Sequence, residues 1–298
     1  MTETAPKKPM REERQPARPD VEEVAPGVLR IQLPISLPGL GHVNCYAMED
    51  RRGVTLVDPG LPGPKTRRVL ASRLRSAGLS IDRVHTVVVT HSHPDHFGQV
   101  NRFRKAGAEI VTHHSFRTFL DPEAEADDED LDTVVDGDPH QAAADGAVGG
   151  AGTHRCVHDL GPINPSYDPA LGPFSPVTPW GGRPYELPLR RRLRYRAMRF
   201  AAGRIMAVPQ PTTRVGDADV LTMGDREWVA VHTPGHTADH LCLWDPNGGV
   251  MISGDHVLPT ITPHISGLTR DPDPLARFFD SLDRMTDFDG VNTVLPAH

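Results

Sequence analysis

Cysteine is scarce in this chain. Cys45, Cys156 and Cys242 are spread over 298 residues and form no CxxC pair. An odd count at such spacing speaks against a disulfide framework, so the thiols read as buried or indifferent. Long apolar runs are missing too. Nothing approaches the roughly 18–20 residues of a membrane span. Met1 to Pro26 is charged and proline-rich, without the apolar stretch of a secretory leader. The chain therefore reads as cytoplasmic, with residues 1–26 as a disordered tail. Nor is there an excess of positive charge. Against 32 Lys and Arg stand 39 Asp and Glu, a net charge of −7. That balance gives no support for a nucleic-acid or anionic-membrane partner; a small-molecule substrate is the expected partner.

What is present is enough chain to bury a sizeable core. The hydrophobic fraction is a modest 38%, with 27 Gly and 30 Pro, as expected of a globular core carrying polar additions. From Val28 the pattern turns regular. Val28–Leu33, His42–Met48, Val54–Val57 and Val84–Val89 read as strands, and Glu109–Thr112 as another. Lys65–Ala77 has Val69, Leu70, Leu74 and Ala77 at helical spacing, and Phe97–Ala106 reads as a second helix. Strand signals return at Trp228–Val231, Leu241–Trp244, Val250–Ile252 and Val291–Leu295, with a helix over Asp273–Arg284. Between the two halves lies an insertion at about 121–215. It opens on an acidic run, turns proline-rich and contains Arg190–Arg196. Charge runs of that kind are usually solvated faces, and Leu187–Phe200 reads as a helix within it.

The chemistry concentrates in Thr90-His91-Ser92-His93-Pro94-Asp95-His96. Four potential ligands fall within six residues, directly after an apolar strand. Neutral imidazoles and carboxylates suit Zn, Fe or Mn. Tag-like or surface histidine tracts do not follow buried strands. One loop does not easily satisfy two metals, and further donors stand after later strands: His236 in Thr233-Pro234-Gly235-His236, Asp255 after Ser253-Gly254, and His298 after Leu295-Pro296-Ala297. Donors gathered at strand ends are what a sheet-based metal site requires.

The HxHxDH run at His91–His96, with His236, Gly254-Asp255 and His298, resembles the metallo-β-lactamase superfamily. Its spacing is most similar to the glyoxalase II-like branch. The turn Val57-Asp58-Pro59-Gly60 is similar as well. The resemblance covers Val28–Phe119 and Gly216–His298. It implies an α/β fold, a four-layer αβ/βα sandwich of two mixed β-sheets, over residues 27–298. It also implies two divalent metal ions, zinc by preference with iron or manganese as alternatives. His91, His93 and His236 would hold one, Asp95, His96 and His298 the other, with Asp255 bridging. No Cys ligand position is evident, which argues against one antibiotic-hydrolysing subclass. Relatives usually continue past the last histidine with further substrate-binding helices, so thioester specificity is not carried over.

The expected reaction is hydrolysis of an ester, thioester or lactone by a hydroxide bridging two metals, with Asp95 both ligand and orienter of the nucleophile. Asp58 is expected to fix a ligand imidazole through its N–H, or simply to stabilise its turn. His240 is a candidate brace for the site, and His264 a candidate substrate contact. Two readings use the same superfamily differently: a persulfide dioxygenase holding one iron on His91, His236 and Asp255, and a ribonuclease. A non-catalytic scaffold is the remaining alternative, since fold does not fix function.

Overall fold

A computed structural model of the chain describes residues 10–37, 39–118, 188–190, 193–194, 197, 209–266, 271 and 273–298. Two sheets face one another. The first has seven strands in chain order: β1 (Glu22–Ala25), β2 (Val28–Leu37), β3 (Leu40–Asp50), β4 (Gly53–Val57), β5 (Val84–Val88), β6 (Glu109–His113) and β7 (Thr213–Val215). The second has five, β8 (Val220–Met223), β9 (Arg226–His232), β10 (Leu241–Asp245), β11 (Val250–Gly254) and β12 (Thr293–Pro296), in the order β12-β11-β10-β9-β8. Each sheet mixes parallel and antiparallel pairs.

Period-two alternation sorts the side chains into layers. On β3, Val43, Cys45 and Ala47 face α1 (Pro64–Ser76), which contributes Leu70 and Leu74, while Tyr46 and Met48 face the second sheet. On β9, β10 and β11, Trp228, Ala230, Leu241, Leu243, Val250 and Ile252 fill the space between the sheets. Their neighbours Val231, Cys242 and Met251 point outward onto the region of Met285, the last residue of a helix we label α4 (Pro274–Met285). Helix, sheet, sheet, helix is the expected four-layer sandwich. Cys45 and Cys242 are free and buried; Cys156 lies outside the described residues. Among the described residues no helix is long and apolar enough to cross a membrane.

The structure corrects several boundaries. From Met10 on, the expected tail is built in: Glu12–Arg14 forms a 3-10 turn, and Glu22–Ala25 pairs with β2. The acidic content of Glu22-Glu23 masked this strand, because an edge strand keeps one face in water. The expected insertion gives up Thr213–Val215, which pairs with β6. Three residues are too few for periodicity to register. β8 was likewise unexpected. The helix expected over Phe97–Ala106 is two short ones, α2 (Pro94–Phe97) and α3 (Val100–Lys105). The acidic run lies outside the described residues, whereas Leu189, Arg190, Leu193, Arg194 and Ala197 are helical.

Strand direction positions the site. β4, β5, β6 and β7 run parallel. β9 and β11 are each antiparallel to β10, and β12 is parallel to β11. Thus β9, β11 and β12 also point one way. Asp58, His91, His236, Asp255 and His298 each follow the carboxyl end of one of these strands, the edge where open α/β sheets place their ligands.

Candidate metal centre

The seven expected ligands converge in two groups. His91, His93, His236 and Asp255 form one, and Asp95, His96 and His298 the other. Within each, donor atoms lie within 4.8 Å of one another. His93 Nδ1 is 3.0 Å from His91 Nε2 and 3.1 Å from His236 Nε2. Asp255 spans the groups: Oδ2 lies 3.4 Å from His236 Nε2 and 3.8 Å from His91 Nε2, while Oδ1 lies 3.5 Å from His298 Nε2 and 3.7 Å from His96 Nε2. Asp95 Oδ2 is 3.6 Å from His298 Nε2 and 3.8 Å from His96 Nε2. Donors about 2.1 Å from a shared ion in a tetrahedron stand about 3.4 Å apart. The separations fit that spacing.

His236 Nδ1 donates to the His264 carbonyl at 2.8 Å, His298 Nδ1 to the His42 carbonyl at 2.8 Å, and His96 Nδ1 to Asp58 Oδ2 at 2.9 Å. Thr90 gives its hydroxyl proton to Asp58 Oδ2 at 2.7 Å, so at 3.1 Å it accepts from His91 Nδ1. In all four rings Nδ1 thereby donates away from the centre, which leaves Nε2 facing into it and able to coordinate whenever it carries no proton. His93 Nδ1 has a proton for at most one of its two neighbours, so lone pairs oppose one another. In the second group His96 Nε2, His298 Nε2 and Asp255 Oδ1 are buried without any hydrogen-bond partner. Unpaired buried acceptors are costly, and a cation in each group would satisfy them.

Electrostatics agrees. Burial disfavours charge on His96, yet the carboxylates of Asp58, Asp255 and Asp95 outweigh it and raise its pKa to about 10. Burial also opposes ionisation of Asp255, but His96 and His298 hold it well below the usual carboxylate range. Burial, then the neighbouring rings of His96 and His93, keeps His91 neutral. A proton on His96 thus partly stands in for a cation.

The supporting residues hold the donors in place. Asp58 is buried at φ 55°, a left-handed conformation that Asp tolerates better than most side chains. Its Oδ1 accepts from the Thr90 N–H at 2.9 Å while Oδ2 serves His96, so the turn and imidazole-fixing roles coexist. His240 is a brace. Its Nδ1 donates to Thr233 Oγ1 at 2.7 Å, and its Nε2 accepts from the Asp255 N–H at 3.0 Å. Gly254 makes room for it: φ is 50°, and a Cβ there would stand 2.7 Å from His240 Nε2. His264 contributes its main-chain carbonyl to His236, while its side chain is exposed. His298 is 2% exposed. The Asn44 and Tyr46 side chains bond the Pro296 carbonyl, and the Ala297 N–H bonds Gly254.

Sequence reasoning missed Thr90, His42 and Asp239. Asp239 accepts from Ser92 Oγ at 3.0 Å, and burial raises its carboxyl to about 6. Its position three residues after His236 was the available signal.

Comparison with known proteins follows the same line. The metallo-beta-lactamase superfamily model matches residues 38–298. Over 110 residues the chain is 34% identical to acyl-coenzyme A thioesterase MBLAC2 of Homo sapiens, and equally to that of Bos taurus, covering 35% of this chain and 36% of theirs. It therefore matches only about a third of those relatives' length. Over 48 residues it is 38% identical to a hydroxyacylglutathione hydrolase of Maricaulis maris, 16% of this chain and 19% of that one. In fold it is similar to a metallo-beta-lactamase family protein from Thermus thermophilus, with TM-score 0.61, 24% identity and coverage of 93% of this chain and 74% of that one. The match over 38–298, joined to the two facing sheets, shows that this chain belongs to the metallo-beta-lactamase superfamily.

Proposed function

We propose that the protein is a binuclear metal-dependent hydrolase that cleaves a thioester or related ester. One observation carries the reading: Asp255 divides its two oxygens between two buried donor groups, and on its Oδ1 side His96 Nε2 and His298 Nε2 have no hydrogen-bond partner. His91, His93 and His236 would hold one cation, Asp95, His96 and His298 the other, with Asp255 shared. Zinc is the preferred metal for this nitrogen and oxygen set. Such cations supply acidification of water towards neutral pH and polarisation of a carbonyl oxygen.

The chain's own part is positional. Asp95, whose Oδ2 faces His96 and His298, uses its Oδ1 to orient the attacking water and take its proton. Asp58, His240 and the His264 carbonyl hold the imidazoles and Asp255 still, so that little reorganisation accompanies attack. Water adds to the carbonyl carbon, the C–S or C–O bond breaks, and a carboxylic acid and a thiol or alcohol leave. The thioester choice is supported by the named activities of the acyl-coenzyme A thioesterase and hydroxyacylglutathione hydrolase relatives. The second donor group favours this reading over a one-iron dioxygenase, which would leave Asp95, His96 and His298 without a role.

Metal analysis together with a panel of thioesters, esters and lactones tests the proposal. Two divalent ions per chain and turnover of a panel member are expected. Asp255→Ala and His93→Ala should each abolish turnover with the circular dichroism spectrum retained. One iron per chain, no hydrolysis and oxygen uptake with a persulfide would overturn it.

A further inference from the structure

Two segments that give no donor to the centre are tied to its residues, one through His42 to His298 and the other to His236. One is Met10–Gln15. The Gln15 carbonyl accepts from His42 Nδ1 at 2.9 Å, and the His42 carbonyl accepts from His298 Nδ1 at 2.8 Å. Gly41 permits the close approach, since a Cβ there would stand 2.1 Å from the Gln15 carbonyl oxygen. The other is the loop Val257–His264. It leaves Asp255 and closes on His236 through the His264 carbonyl, 2.8 Å from Nδ1. Midway, the Thr260 hydroxyl donates to Glu13 Oε2, latching the two segments together.

Between them lies a cleft of about 590 Å³ lined by Arg11, Leu258, Pro259, Thr260, Ile261 and Thr262. Glu13 is 2% exposed, and its Oε1 has no hydrogen-bond partner. Burial opposes its charge, yet the Thr260 hydroxyl, its own backbone, Arg11 and Arg14 together hold its carboxyl below the usual range, so the latch is a favourable contact that fixes one wall of the cleft. The lining combines three apolar side chains, two hydroxyls and one guanidinium. Glu12 and Glu13 are the acidic groups of the segment. Glu13 is turned to Thr260, with Arg14 Nε 4.0 Å from its Oε1. Arg11 is exposed and lines the cleft, and its charge also helps to hold the neighbouring Glu13 carboxyl below its usual range.

We propose that this cleft holds the part of the substrate remote from the scissile bond and that Arg11 pairs there with an anionic group, phosphate or carboxylate. The inference rests on the hydrolase reading above, because both walls are tied to the reacting centre. A guanidinium over an apolar wall matches an anion carried on an otherwise apolar arm.

Three thioesters separate the outcomes: acetyl-coenzyme A carries phosphates, S-lactoylglutathione carries carboxylates, and S-acetyl-N-acetylcysteamine carries no anion. Arg11→Ala is expected to raise KM about tenfold for one of the anionic substrates with kcat unchanged, to leave the neutral one within about twofold, and to be largely rescued in Arg11→Lys. Which anionic substrate responds identifies phosphate or carboxylate as the ligand. A uniform effect on all three substrates, or none, overturns the proposal. Calorimetric titration of coenzyme A and of glutathione into wild-type and Arg11→Ala protein reads the same cleft without turnover. Binding of one of them weakened about tenfold by the substitution supports the cleft; equal affinity, or no binding of either, overturns it. Arg11-dependent binding with no turnover of any thioester would instead sink the thioesterase reading and leave the cleft standing.

Discussion

Asp58 accepts three hydrogen bonds, from the Thr90 N–H, the Thr90 hydroxyl and His96 Nδ1. An amide oxygen at this position does not replace both carboxylate oxygens, and an amide NH2 would confront a donor. Asn tolerates the left-handed backbone as Asp does, so Asp58→Asn isolates the hydrogen bonds. On the proposed two-cation centre, one ion is expected to bind about 10–100-fold more weakly, read by chelator competition, with the other little changed. Thr233 is the equivalent support for His240. Thr233→Val preserves shape but leaves His240 Nδ1 without its acceptor, and the opposite tautomer would set an Nε2 proton against the Asp255 N–H. A loss of about 1–3 kcal/mol in denaturant-measured stability is expected.

Helix α4 is begun by Asp273, whose carboxylate accepts from the Ala276 N–H at 2.9 Å, followed by Pro274 in the first turn. The helix then holds the turn that carries His236. Ser281 Oγ donates to the Pro234 carbonyl at 2.7 Å, and Arg284 Nη1 to the His232 carbonyl at 3.0 Å. Asp273→Ala should lower stability by about 0.5–2 kcal/mol, visible as a fall in Tm of a few degrees. On the opposite layer Leu70 is completely buried between α1 and the first sheet. Leu70→Ala should cost about 2–5 kcal/mol in chemical denaturation. The contrast separates a cap, which water can partly replace, from a cavity, which the packed layers cannot close.

Taken as a whole, the metal-free protein stores a titration conflict. His42, His91, His93, His232, His240 and His256 are all held below their ordinary pKa, chiefly by burial, with His93 near 4. A depressed histidine contributes stability above its unfolded pKa, about 6.5, that is lost as pH falls. His96, raised to about 10, contributes the reverse: its stabilisation is complete below 6.5 and disappears as pH climbs towards 10. Asp239, raised to about 6, favours the fold as pH drops through that value and partly opposes the histidines. Six histidines outweigh one carboxyl, so Tm of the chelated protein should decline from pH 6.5 towards 4, measured by scanning calorimetry. If zinc is the metal, as proposed, adding it at 100 times its dissociation constant should raise stability by about 2.7 kcal/mol per occupied site.

By itself the sequence picked out the His and Asp residues that the fold brings together, and the strands that precede them. His91, His93, Asp95 and His96 stand five residues apart at most, and His236, Asp255 and His298 each follow an apolar run, so local pattern sufficed. It also revealed Asp58, because an Asp-Pro-Gly turn after a strand is a local signal. Tertiary structure decided which donors share a group, since that depends on β5, β9, β11 and β12 pointing their carboxyl ends to one edge. It decided the work of Thr90, His42 and Asp239 as well, whose partners lie 32, 256 and 147 residues away. Edge strands β1 and β7 were hidden for a related reason. They are short and half-solvated, and only pairing with β2 and β6 makes them strands. Hydrophobic periodicity records what each segment buries on its own face, whereas the hydrogen bonds that orient a ligand ring are made across the fold and leave no periodic trace.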